Sequence, residues 1–335
     1  MPAQVSLAPF RPTAGAPGLP EVPYTVADAL AAVAGWPADL VPGQGGTTRL
    51  WELLATLGAT DLGVARAVEP HLDARAILTQ AGVAHGTGTW GVFAAEGPGV
   101  RLEALEGPDG WRLTGTKPWC SLAGVLDAAL VTAHLGDGGR GLFAVDLRGA
   151  GVSLVDQEWV SRGLTEIPST AVAFDDVRAE PVGPPGWYLE RPGFWWGGIG
   201  VAACWFGGAV GIGRRVHAQA SARDDQLLAM HLGAVDHRLE SARRALAEAA
   251  TLVDDGSLDA AQGRLLAKRV RATVAGVCED VLTIAGHALG PAPLALEPEH
   301  AKRVADLQVY VRQQHAERDG VSLGTSLAAS SDAPW

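Results

Sequence analysis

The segment Gly110-Trp111-Arg112-Leu113-Thr114-Gly115-Thr116-Lys117-Pro118-Trp119-Cys120-Ser121 reads as a β-strand that ends in a bend. Pro108-Asp109-Gly110 supply turn residues ahead of it, and Leu113 sits between polar or bulky neighbours in an extended pattern. Gly115 permits a kink or a close backbone approach. Pro118 blocks continuation as a helix, and an aromatic and a hydroxyl follow at Trp119 and Ser121.

Short β-type runs lie on both sides of this segment, at residues 90–95, 100–105, 128–134, 142–147, 152–155 and 170–174. Turn clusters such as Gly136-Asp137-Gly138-Gly139 separate most of them. This spacing indicates a small barrel or sandwich. Before the strands, Leu50, Leu53, Leu54 and Leu57 fall at helical spacing, as do Val64, Val68, Leu72 and Ile77. Thr25 and Thr48 are candidate caps, and Pro70 is expected to kink or restart its helix. After the strands, Leu232, Val235, Leu239, Ala242, Leu246, Ala249 and Val253 step by three and four. Asp254-Asp255-Gly256-Ser257 breaks that run, 265–282 resumes it, 286–298 reads as a loop, and 300–317 as a last helix before a frayed end.

Helices, then strands, then helices is the order of an α+β multidomain chain with a β domain set between helical layers. The expected division is a Pro-rich arm at 1–25, an N-terminal helical domain at 26–85, a β-barrel at 86–182 and a C-terminal helical bundle at 183–335. From Gly193 to Gly213 no charged residue occurs, a length that suits a membrane span. Its many glycines and the long amphipathic sequence after it favour the centre of a helical bundle.

The totals describe a compact globular protein: 335 residues, 47% hydrophobic and 19% charged. A net charge of −11 argues against nucleic acid as the main partner. Cys120, Cys204 and Cys278 form no CxxC pair and no disulfide framework, which fits a reducing cytoplasm. The N-terminus lacks the apolar run of a signal peptide. The nine histidines do not cluster as metal ligands, and no HExxH or GxSxG occurs. His85-Gly86-Thr87-Gly88 precedes a strand, and the Gly208, Gly211, Gly213 pattern follows helical sequence. Neither has the strand, glycine turn and helix order of a dinucleotide loop.

The segment Gly115-Thr116-Lys117-Pro118-Trp119-Cys120-Ser121 resembles the flavin-facing strand of the acyl-CoA dehydrogenase family, Gly-x-Lys-x-Trp-Ile-Thr. Three further stretches resemble that family in order. Residues 91–99, ending Ala95-Glu96-Gly97-Pro98-Gly99, resemble its Thr-Glu-Pro-Gly strand, with Ala95 in place of Thr. Asp127 to Ala133 is similar to the next barrel strand, and Phe174-Asp175-Asp176-Val177-Arg178 to the strand that leaves the barrel. Ala285-Gly286-His287-Ala288-Leu289-Gly290 sits where the family has a Gly-Gly-x-Gly loop that approaches FAD from the neighbouring subunit. The family's Arg-x-x-Phe-Gly phosphate clamp is reduced to Arg223-Asp224-Asp225-Gln226.

The resemblance implies a helical N-terminal part, a small β-barrel and a C-terminal four-helix bundle. It implies FAD, with Trp119, Cys120 and Ser121 on the flavin face and Phe93, Ala95 and Glu96 on its pyrimidine edge. Arg223, Gly286 and His287 would serve the cofactor across a homodimer or homotetramer. The implied reaction is α,β-dehydrogenation of an acyl thioester, for which a carboxylate removes the α-proton. The usual position, around Val309-Tyr310-Val311-Arg312-Gln313, holds no carboxylate, and the alternative position in 193–213 holds none either. Glu317 is the nearest acidic candidate. Two other readings stay open: a flavin monooxygenase of the same fold, which needs no such base, and a non-catalytic paralogue acting as a binding or assembly partner.

Overall fold

A computed structural model describes residues 4–10, 20–84, 86–136 and 138–329. Much of the Pro-rich arm, His85, Asp137 and the last six residues lie outside that description. Three helices come first: α1 (Val26–Val33), α2 (Thr47–Thr60) and α3 (Leu62–Gln80). The Thr25 side chain caps α1 through the Asp28 N–H, as its position suggests. Helix α2 begins one residue ahead of the expected Thr48 cap, from Gly46, because the Thr47 hydroxyl and N–H are both taken by Asp254. Residues of the arm are not without a core. Val5 and Leu7 are buried, and their N–H groups donate to Thr56 Oγ1 and Glu52 Oε1 of α2.

Seven strands follow: β1 (Trp90–Phe93), β2 (Leu102–Gly107), β3 (Gly110–Lys117), β4 (Ala128–His134), β5 (Arg140–Asp146), β6 (Val152–Leu154) and β7 (Val172–Pro181). The pairing β4-β2-β3-β7-β5 returns to β4, so the sheet closes into a small barrel, with β1 on β4 and β6 on β7. Closure removes most free strand edges. Gly115 makes the bend in β3 possible. It has φ +123°, and a Cβ there would lie 2.2 Å from the Arg101 carbonyl oxygen, which accepts from the Thr116 N–H at 2.9 Å. The β3–β7 register shifts between Leu113 and Gly115, the mark of a bulge.

The C-terminal part contains α4 (Trp187–Glu190), α5 (Pro192–Ser221), α6 (Gln226–Asp255), α7 (Ala260–Leu289), α8 (Ala292–Leu296), α9 (Pro298–Tyr310), a 3₁₀ turn (Val311–Gln313) and α10 (Glu317–Ala328). Helices α5, α6 and α7 pack on one another, with α2 and α9 against α5. By length and composition α5 and α7 could each cross a membrane, but 72% of the apolar window of α5 is buried inside the protein. Its glycines have a packing cause. Gly207 lies so close to α2 that a Cβ would meet the Ala55 carbonyl oxygen at 2.0 Å.

The expected 286–298 loop and single last helix are corrected here. Helix α7 continues to Leu289, and α8 fills part of the connection. The final helical stretch breaks after Tyr310, with Ala316 in the left-handed region before α10 starts. Pro70 neither ends nor restarts α3, which runs unbroken through it.

Candidate active site

Helix α3 is buried along most of its length, so its charged residues require a reason. Arg66, Glu69 and Asp73 recur at i, i+3 and i+7 and therefore share one face. That face lines a cavity of about 1160 Å³ between α3, the barrel, α5 and the segment from α9 to α10. Pro70 lines it too. Asp61 caps the start of α3 by accepting from the Gly63 and Val64 N–H groups. Lys302 of α9 then joins Asp61, Glu166 and Asp306 at 2.9, 2.7 and 2.6 Å. Asp306 also accepts from Leu164 N–H at 2.6 Å, so this ion network fixes α3, α9 and the loop of Leu164 and Ile167 as walls of one cavity.

On the barrel side, Lys117 is buried at the end of β3 with its Nζ 2.7 Å from Glu96 and 2.9 Å from Thr132 Oγ1. Glu96 also meets His134 at 3.4 Å and Arg140 at 3.5 Å. Partial burial would raise its carboxyl, but Lys117, Arg140 and His134 together hold it below the usual carboxylate range. Trp119, just beyond β3, takes φ +59°, a left-handed conformation uncommon for a bulky residue, and remains 58% exposed. Its ring is thus a free aromatic surface at the cavity. Ser121 Oγ lies 2.7 Å from Ser169 Oγ and accepts from Arg66 Nη2 at 3.0 Å.

Arg191 closes the far side, donating to Gln80 Oε1 at 2.6 Å and standing 3.7 Å from Asp73. Arg271 of α7 donates to the carbonyls of Gly198 and Gln313 and lies over the Trp205 ring at 4.7 Å. Glu69 is buried, and among the described residues no side chain hydrogen-bonds it; the Arg66 guanidinium stands 3.8 Å away. Burial pushes its carboxyl up to about 7, against the pull of Arg66 and Arg271 and with the push of Asp73. Burial likewise raises Asp73, although Arg191 opposes it. Arg191 Nε, Trp195 Nε1 and Gln314 Oε1 are buried at the cavity with no hydrogen-bond partner among the described residues. Such groups suit a ligand with polar atoms of its own.

Of the residues expected at a site, Ala95, Glu96, Trp119 and Ser121 share this cavity. Phe93 and Cys120 do not: both are buried, and the Cys120 thiol turns to the Lys117 carbonyl oxygen. Alternation along β1 sends Val92 and Ala94 to the cavity and Phe93 into the core. Arg223, Gly286 and His287 are exposed and lie off the cavity. Glu317 is exposed in the first turn of α10, where His315 and Asp319, not Glu317, line the cavity. Arg66, Glu69 and Asp73 were missed. Three charges recurring at helical spacing among the apolar residues of 62–78 were the available signal.

The overall architecture can be compared with known proteins. No protein-family model and no curated protein matches the chain. Butyryl-CoA dehydrogenase from Megasphaera elsdenii superposes with a TM-score of 0.78 at 18% identity, covering 90% of this chain and 89% of that one. The chain has the acyl-CoA dehydrogenase fold. FMN-bound TdsC from Paenibacillus sp. A11-2 also superposes, with a TM-score of 0.73 at 17% identity over 85% of this chain and 84% of that one. A nitrososynthase from Micromonospora carbonacea var. africana does so at 0.72 and 19% identity, over 90% and 88%. Within the acyl-CoA dehydrogenase fold of this chain, the cavity lies where the N-terminal helices, the barrel and the C-terminal bundle meet.

Proposed function

We propose that the chain is a flavin-dependent oxidoreductase that takes an acyl thioester or a similar small carbonyl compound and carries out α,β-dehydrogenation. One observation carries this reading: the free Trp119 ring and the Ser121 hydroxyl open into the same 1160 Å³ cavity as the buried carboxyl of Glu69. The likeness to FMN-bound TdsC supports a flavin there, and the likeness to butyryl-CoA dehydrogenase supports an acyl thioester as substrate.

The residues present fit such a group. Trp119 offers an aromatic surface for a flat ring system, and Ser121 offers a hydroxyl beside it. Ala95 and Glu96 lie just past the end of β1, where backbone groups are no longer spent on the strand ladder. The flavin, when bound, supplies the electron-accepting chemistry. The chain's own residues hold the substrate, exclude water and hold the proton. FAD is the form this reading favours, with Arg223, Gly286 and His287 serving it across a cytoplasmic homodimer or homotetramer. FMN is the form bound in TdsC.

A second reading is a flavin monooxygenase. It is favoured by the end of α9 and the 3₁₀ turn that follows, which bring Val309, Tyr310, Arg312 and Gln313 to the cavity and no carboxylate, and by the likeness to TdsC, a dibenzothiophene monooxygenase. The two are separated by anaerobic mixing of the FAD-supplemented protein with a panel of acyl thioesters. Bleaching of the flavin band by one of them is the result expected of a dehydrogenase. A band that persists with every thioester favours the monooxygenase, and a protein that takes up no flavin would be a non-catalytic binding partner.

A further inference from the structure

We propose that Glu69 is the catalytic base of this cavity and that its substrate is a carbonyl compound with an acidic C–H next to the carbonyl. The proposal rests on the dehydrogenase reading and deepens it, because it supplies the carboxylate that 193–213 and 309–313 lack.

Geometry singles out Glu69 among the acids of the cavity. Asp73 is 3.7 Å from Arg191, and Asp319 accepts from His315 N–H at 3.0 Å at the half-exposed start of α10. Glu96 is tied to Lys117 at 2.7 Å. Glu69 has a single ion-pair partner among the described residues, Arg66 at 3.8 Å, and faces the cavity from a buried position. The same guanidinium donates to Ser121, so one planar group separates the Glu69 carboxylate from the hydroxyl beside Trp119. A substrate lying along Trp119 would therefore have a carboxylate within reach.

The step itself is a proton transfer. The C–H bond next to the carbonyl breaks, the proton bonds to a Glu69 carboxylate oxygen, and the electron pair moves onto the carbonyl oxygen as an enolate. Arg66 and Arg271, the two cations whose charge acts on Glu69, line the same cavity and are placed to stabilise that negative charge. A carboxyl that titrates near neutrality is suited to both taking and returning a proton. The groups facing Glu69 are Arg66 and Asp73 from α3, Tyr188 from α4, Cys204 from α5, Arg271 from α7 and Tyr310 from α9. Burial raises the Tyr188, Cys204 and Tyr310 groups and the Asp73 carboxyl too, and it brings Glu69 to about 7, where the group changes charge near neutral pH.

The test is hydrogen exchange without oxidation. Phenylacetyl-CoA has acidic hydrogens next to its carbonyl and none on the following carbon that could leave as hydride. The FAD-supplemented protein is incubated with it in D₂O, and deuterium uptake is read by mass spectrometry. Wild type is expected to incorporate label, with a rate that rises through one ionisation near neutral pH. Glu69→Gln should lower that rate by about 100-fold or more, Glu69→Asp should keep part of it, and the surface variant Glu106→Gln should leave it unchanged. Exchange that survives in Glu69→Gln, or is lost in Asp73→Asn alone, overturns the assignment; so does a wild-type protein that exchanges nothing. Exchange with no thioester ever bleaching the flavin would remove the dehydrogenase reading and leave Glu69 as base.

Discussion

Arg66 of α3 donates through Nη2 to the Ser121 hydroxyl at 3.0 Å, across the boundary between the N-terminal helices and the barrel. Its Nη1 is the nearest cation to Glu69, at 3.8 Å. One guanidinium thus links the barrel edge to the buried carboxyl. Replacing Arg66 with Met removes a charge that lowers Glu69, so the Glu69 titration should move above its value of about 7. The pH dependence of denaturant unfolding in the two proteins reads this shift.

Glu69 also makes stability depend on pH, and the sign follows from its raised carboxyl. Between the ordinary value of 4.5 and about 7, the folded protein keeps the Glu69 proton while the unfolded chain releases it. Stability therefore falls as pH rises through that window, by about 3 kcal/mol. In Glu69→Gln that component should vanish, so the variant should lose less stability than wild type between pH 4.5 and pH 7. Urea unfolding at several pH values checks it.

The Lys117–Glu96 pair behaves in the opposite sense. Lys117 is 2% exposed and depends on Glu96 for its charge partner. Glu96→Gln leaves the ammonium buried and uncompensated, with an expected cost of about 2–3 kcal/mol after allowing for the partial exposure of Glu96. In wild type the contribution of Glu96 is present above the ordinary carboxylate range. It is lost as pH falls through the lowered value of the folded state. Unfolding curves at neutral and acid pH measure both effects.

Gly115→Ala should destabilise by about 2 kcal/mol or more. Alanine there needs φ near +123° and would press its Cβ on the Arg101 carbonyl oxygen. Thermal unfolding of the variant provides the comparison.

Cys120, Cys204 and Cys278 are all buried, and burial pushes each thiol up, Cys120 to about 12. No thiolate is then available at neutral pH. A thiol reagent should leave the native protein unlabelled and modify all three cysteines once urea unfolds it. Labelling kinetics by mass spectrometry decide the matter.

The barrel was legible because its runs alternate and are separated by Gly-, Pro- and Asp-rich turns, so β3 and β4 appear close to where the sequence places them. Helix α5 was legible as a bundle helix rather than a span from its glycines, which the close approach of Gly207 to Ala55 explains. Local pattern failed where tertiary contacts decided the outcome. Pro70 stays inside α3 because the helix is held along its length by packing, and α2 starts at Thr47 instead of after a Thr48 cap because Asp254 reaches across from α6. The face of α3 was illegible for the same reason. Arg66 and Glu69 look like ordinary helix charges until the barrel and α9 enclose them. Glu317 shows the converse, a carboxylate close in sequence to the expected position that the turn at Ala316 leaves outside the cavity.

The most direct measurement is equilibrium titration of the flavin-free protein with FAD and with FMN, followed by quenching of tryptophan and flavin fluorescence. Wild type is predicted to bind one of them saturably, and Trp119→Ala to bind it at least about tenfold more weakly, the loss expected when an aromatic stacking partner of about 1.4 kcal/mol is removed. Absence of saturable binding by either flavin, or binding that Trp119→Ala leaves untouched, would contradict a flavin site at this cavity.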